Sequence, residues 1–158
     1  MQGFLKTLES SDFADWVLTS TYGYPVLLTL HSIGLAMLVG VLVVINLRIL
    51  GLVPAIPILQ MRPLMSLVWG AFVVNAISGT ALFVSDATRY YHSPTFRWKL
   101  LCILIGVALA AILSLSMLSE AGSAQRQRKI PTYAKILAAA SVIAWLAAVG
   151  TGRYMAYE

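Results

Sequence analysis

His31 is the residue whose type and position first suggest chemistry. It stands six residues into the apolar run Pro25–Asn46, roughly 9 Å below the start of a helix that rises 1.5 Å per residue. An ionisable side chain at such depth in a membrane segment marks a functional site by default. Imidazole nitrogen is a ligand for haem iron. Gly34, one turn further on, has no side chain and leaves room beside the ring for a flat macrocycle. The competing reading is a neutral histidine hydrogen-bonded to a neighbouring helix.

A second group of polar residues falls where the chain can return to the level of His31. Asp86, Arg89, Tyr90, Tyr91 and His92 lie between the second and third apolar runs. Arg97, Trp98 and Lys99 open the third run, and Arg153, Tyr154 and Tyr157 close the fourth. If the runs are antiparallel helices, both histidines, four basic residues and several tyrosines gather at one end of a bundle. Haem b held by His31 would place its propionates toward Arg97 or Arg153, because those acids favour basic, near-aqueous surroundings. His92 or Lys99 is available as the sixth ligand, or the position is open. Each residue also has a plainer role. Arg97 and Lys99 can extend to lipid headgroups, the tyrosines can form an interfacial belt, His92 can be a solvated loop residue, and Asp86 can pair with an arginine or cap a helix.

Other chemistries lack their residues. Met37, Met65 and Met117 are scattered, whereas a copper pathway needs soft sulfur ligands grouped together. Two histidines are too few for a closed zinc site. No Cys-x-x-Cys pair, phosphate-binding glycine loop or serine–histidine–acid signature occurs.

The elements that must position these residues follow from composition. The chain has 158 residues, 59% hydrophobic and 11% charged, against about 25% charged in an ordinary soluble domain. Four runs approach the ~20 apolar residues a span requires: about 25–46, 64–85, 98–118 and 133–155. None alternates as a barrel strand does, so helices are the way to satisfy the backbone inside lipid. The expectation is an all-α integral membrane four-helix bundle, a single domain over 1–158, with the bilayer as its surroundings. The net charge of +5 is read as topology rather than nucleic-acid binding. Cys102 is alone, and no basic region leads into a short apolar stretch as in a cleavable signal peptide. Ahead of the first span, SSDFADWVLTS predicts a short interfacial helix with Ser11 as its cap and Phe13, Trp16 and Val17 on one face. Asn75 and Ser78 are expected to bond across helices. Gly70, Val74 and Ser78, and Gly106 with Ala110, are spaced for close helix contact.

Four spans put both termini on one side. The opposite side carries Arg48, Arg62, Arg126, Arg128, Lys129 and Lys135, and the Arg126–Lys129 run favours the cytoplasm. Both termini are therefore expected in the periplasm of a bacterial inner membrane.

Tyr24-Pro25, Leu30-His31, Gly40 and Asn46-Leu47-Arg48, with Leu82-Phe83, Asp86-Ala87, Pro94, Phe96, Lys99 and Gly152-Arg153, resemble the pattern of a largely uncharacterised family of small bacterial four-helix membrane proteins. More distantly, the chain is similar to four-helix membrane protoporphyrinogen oxidases and to copper-resistance D-type membrane domains. The oxidases have a histidine early in the first span and a lysine opening the third, implicated in haem binding and activity; His31 and Lys99 match them. Arg48 stands near their arginine–leucine pair but is followed by Ile49, and the oxidases' further histidines have no counterpart here. The resemblance implies a haem site more than it implies their catalysis. Three readings follow: a haem b protein moving electrons or oxidising a small substrate at the outer membrane face; a non-catalytic anchor or accessory subunit for a membrane or periplasmic redox partner, with a homodimer as one assembly; and metal transport, for which an inverted repeat and an intramembrane acid are missing.

Overall fold

The computed structural model describes residues 2–57, 61–120 and 130–157. The basic run Arg126, Arg128 and Lys129 lies outside them. Every regular element described is a helix: α1 (Gln2–Glu9), α2 (Asp12–Thr19), α3 (Gly23–Leu50), α4 (Met61–Ser85), α5 (Ala87–His92), α6 (Pro94–Glu120) and α7 (Thr132–Tyr154), followed by a single 3-10 turn over Met155–Tyr157. The helices α3, α4, α6 and α7 are long and apolar enough to cross a bilayer. Their outward faces, including Ile77, Leu104, Leu115 and Ile143, are exposed large apolar residues, as lipid contact requires. The chain is a multi-pass membrane protein.

Local chemistry sets the ends of these helices. Ser20 Oγ accepts from the backbone N–H groups of Tyr22 and Gly23 and starts α3 two residues before Pro25. Gly51 stops α3 in the left-handed conformation, φ 87°, a backbone region that costs glycine little. Ser93 Oγ accepts from Phe96 N–H, so α6 begins at Pro94, where a missing N–H is harmless, rather than at Trp98. Two helices, not one, precede the first span. Ser11 caps α2 as expected, accepting from Ala14 N–H at 3.3 Å. The face of α2 is divided, however: Ala14 and Val17 are fully buried, while Phe13 and Trp16 point outward.

The spanning helices pack in the order α4–α3–α7–α6, and α4 meets α6 only sparsely. The inner pair carries the core, since a third of the spans of α3 and α7 is buried against only 17% in α4 and α6. Leu38, Leu42, Ile45, Met65, Val68, Ala110, Leu113 and Trp145 form the apolar centre. Two polar residues lie inside it. Asn46 donates from Nδ2 to Ser141 Oγ at 3.1 Å, and both are fully buried. Between α6 and α7, the Trp145 indole fills the place where Gly106 lacks a side chain. A Cβ on Gly106 would lie 2.8 Å from the ring, inside van der Waals contact with a rigid neighbour. Gly70, by contrast, faces open space, and Ser78 is buried, so these two do not form one continuous contact face.

This packing predicts that Gly106→Ala destabilises the bundle by about 1–3 kcal/mol through overpacking, while Gly150→Ala, where nothing lies within 4 Å, does not. Thermal unfolding of both variants in one detergent measures the difference.

Candidate functional site

His31 turns toward α4. Its Nδ1 lies 3.1 Å from the Asn75 carbonyl oxygen and 3.2 Å from Ser78 Oγ. Asn75 completes the exchange, since its side-chain Nδ2 donates to the His31 carbonyl at 2.8 Å. The Ser78 hydroxyl donates back to the Val74 carbonyl at 2.8 Å, which leaves its lone pairs toward the ring. Both neighbours of Nδ1 are therefore acceptors, and Nδ1 must carry the proton. With Nδ1 protonated, the neutral form of the ring has its lone pair on Nε2, the atom that binds metals when the other nitrogen is bonded in this way. Among the described residues Nε2 has no partner.

The ring reaches the Asn75 carbonyl because residue 79 is glycine. A Cβ on Gly79 would sit 2.9 Å from His31 Cε1 and 3.3 Å from Nδ1. Gly34, expected to leave space for a macrocycle, has a different neighbour. Its Cβ position is 3.4 Å from the backbone nitrogen and the side-chain Nδ2 of Asn75, so Gly34 faces Asn75 on α4 at ordinary contact distance. The cross-helix bonding expected of Asn75 and Ser78 is present, and its partner is His31. The plainer reading of His31, a histidine bonded to a neighbouring helix, is correct for one ring nitrogen and leaves the other available.

Lys99 comes to the same end from α6. Its Nζ lies 3.5 Å from the Cβ position of Gly152 on α7. No carboxylate or hydrogen-bond acceptor meets Lys99 among the described residues. Gly79 admits the His31 ring, and Gly152 is in ordinary contact with the end of Lys99. Arg97, Arg153 and His92 are exposed. Arg97 donates to the Tyr91 carbonyl at 3.4 Å, and His92 closes α5 in edge contact with Tyr91.

A cluster of rings closes this end. Phe83, Tyr90 and Phe96 lie with centroids 5.4–6.3 Å apart, joining α4, α5 and α6. The segment read as a loop is therefore helical as α5 and partly apolar in its packing. Asp86 pairs with Arg89 at 3.6 Å, and both side chains are well exposed, so solvent screens the pair. The cap of α5 comes from far along the chain: the Glu9 carboxylate accepts from the Thr88 N–H at 2.6 Å and from its hydroxyl at 2.9 Å. No local sequence pattern announces that bond, which ties α1 to the aromatic cluster.

Among the described residues no three histidine, cysteine, aspartate or glutamate side chains come together as a metal site. A recess of about 460 Å³ lined by Gly51, Ile130, Pro131, Thr132 and Lys135 lies at the other end of the bundle. No family profile matches the chain, and no curated protein or solved structure does.

Burial raises the Tyr90 phenol above the ordinary value of 10.0; Tyr24 and Asp86 add to the rise and Arg89 opposes it. The neutral phenol thus contributes stability that is complete below the unfolded value and is lost as pH rises through the folded one. In an ultraviolet titration of tyrosinate, one of the seven tyrosines is expected to ionise later than an ordinary phenol. That step should be missing in Tyr90→Phe.

Proposed function

We propose that this protein binds haem b through His31 Nε2 and serves in electron transfer or redox chemistry near the outer face of a bacterial inner membrane. The observation that carries the reading is the state of the histidine. Its Nδ1–H is engaged by two acceptors on α4, and its Nε2 lone pair is unpartnered. A bare cation would need several protein ligands, which His31 does not have around it. An iron already held by a porphyrin needs only one or two more. Lys99 supports the reading because its amine, at the same end of the bundle against Gly152 and without a carboxylate partner among the described residues, suits a propionate or other anion. Its location also has a cost, since a charged lysine within a span is unfavourable by about 2.5–3.5 kcal/mol at the bilayer centre, less near an end. Arg97 and Arg153, exposed at the same end, are further partners for propionates. Gly34, one turn from His31, faces Asn75 of α4.

Bound haem would supply one-electron chemistry. The chain's own residues hold the ring orientation, direct Nδ1–H to α4, and place basic side chains at the same end of the bundle. In this reading both termini face the periplasm, where a redox partner would exchange electrons. A second reading, a membrane anchor or accessory subunit, has an observation of its own: α1 and α2 present Phe4, Phe13, Trp16 and Leu18 outward beside the site. The two readings are compatible.

The test compares haem retention across variants purified in parallel. His31→Ala is expected to lose the cofactor. Gly79→Ala, which pushes the ring from its acceptors, should weaken binding by about 10- to 100-fold, as loss of a supporting contact does. Gly40→Ala, with nothing within 4 Å, should retain it. Full haem content in His31→Ala would refute the ligand assignment.

A further inference from the structure

The two short helices at the His31 end, α1 and α5, depend on each other, whatever His31 binds. α1 has eight residues and α5 has six, well below the ~12–15 at which a helix is marginally stable by itself in water. Leu5 is the residue that α1 buries, and Ala87 is the one that α5 buries. α5 is the main packing partner of α1, and α1 is that of α5. Asp86, which opens α5, makes no side-chain capping bond; its carboxylate pairs with Arg89 at 3.6 Å. Glu9, the last residue of α1, takes that place. One of its carboxylate oxygens accepts from the Thr88 N–H at 2.6 Å, and the other accepts from the Thr88 hydroxyl at 2.9 Å.

α5 in turn takes part in closing the bundle. The apolar core draws Met61, Met65, Val68 and Ala71 from α4 and Ala110 and Leu113 from α6, all in the half of the molecule away from the ring cluster. α4 and α6 otherwise meet only sparsely, and at the His31 end the rings bridge them. Phe83 of α4 and Phe96 of α6 stack with centroids 5.4 Å apart, and Tyr90 of α5 lies 6.3 Å from the first and 5.7 Å from the second. Tyr90 is held against both only while α5 is a helix.

We propose that α1 and α5 form a clasp fastened by Glu9: α1 keeps α5 helical, α5 keeps Tyr90 against Phe83 and Phe96, and the N-terminal helix thereby controls how firmly the α4–α6 seam is closed at the end that carries His31. A carboxylate bonded to a backbone N–H is stronger than a neutral acceptor, so one residue suffices as the fastener. One lost cap is also a small enough change to be made and unmade reversibly. Segments of such low local stability open as cooperative units, separately from the core. The clasp therefore opens as a pair, α1 with α5, while α3 and α7 keep their packing.

The test uses the full chain in lipid nanodiscs. Backbone hydrogen–deuterium exchange is followed by mass spectrometry in the wild type, Glu9→Ala and Leu5→Ala. Glu9→Ala is expected to speed exchange in α1 and α5 together by roughly 5- to 10-fold, the size of a lost helix cap, and to leave α7 unchanged. Leu5→Ala, which keeps the carboxylate but loosens α1, is expected to speed exchange in α5 as well. The seam is read by spin-label distances between Ile77→Cys on α4 and Leu104→Cys on α6, both exposed positions, with Cys102→Ser removing the native thiol. That distance distribution is expected to broaden in Glu9→Ala. Exchange in α5 that keeps its wild-type rate in both variants would overturn the clasp. Faster exchange in α5 with an unchanged α4–α6 distribution would overturn its control of the seam.

Discussion

The contact between His31 and Asn75 is the joint on which the α3–α4 half of the molecule depends. Each residue gives one hydrogen bond to the backbone of the other: the imidazole to the Asn75 carbonyl and the amide to the His31 carbonyl. In lipid a single bond of this type contributes about 0.6 kcal/mol on average, so the pair is a modest source of stability. Its larger effect is on geometry. Two reciprocal bonds fix the rotation of α3 against α4 and the plane of the ring together. They require close backbones, which Gly79 permits because a side chain there would press on the ring.

The surroundings of that joint follow from the solvent. Lipid gives no drive for apolar helix faces to associate, so small residues and polar contacts decide the packing. This chain uses both. Gly106 receives Trp145 on the α6–α7 side, Asn46 bonds Ser141 on the α3–α7 side, and the His31 cluster joins α3 to α4. Among the described residues nothing comparable joins α4 to α6, where the helices meet only sparsely and the aromatic cluster of Phe83, Tyr90 and Phe96 ties their ends instead. His31 and Lys99 belong to the two helix pairs on either side of that weak seam. The Glu9–Thr88 bond then fastens α1 to the same end.

Much of this was legible in the amino-acid sequence. Runs of apolar residues long enough to span a bilayer announce helices without ambiguity, and the four spans agree with the structure except for a few residues at their ends. At those ends the Ser20 and Ser93 hydroxyls accept from backbone N–H groups where α3 and α6 begin. Ser11 was recognisable as a cap because a local pattern carries it. His31, Asn75 and Ser78 stood out as polar residues in apolar runs, but which pairs would meet was not readable, since helix rotation is decided by packing. Gly79 carries no signal beyond being a glycine in a membrane helix, so its role was visible only once the ring was seen against it. Gly34 is recognisable by its missing side chain, but that it faces Asn75 depends on the rotation of α3. The Glu9–Thr88 bond joins residues 79 apart in sequence, and no periodicity links them. The helical character of α5 was hidden because six residues are too few to show a pattern.

Absorption spectroscopy tests the central claim most directly. The protein, purified from membranes of haem-sufficient cells in mild detergent, is recorded oxidised and reduced, with pyridine haemochrome analysis for stoichiometry. The account predicts a b-type spectrum and a stoichiometric haem-to-chain ratio, with His31 as the protein ligand. A protein that shows no haem bands and takes up none on reconstitution would contradict it and leave His31 as a cross-helix bond between α3 and α4.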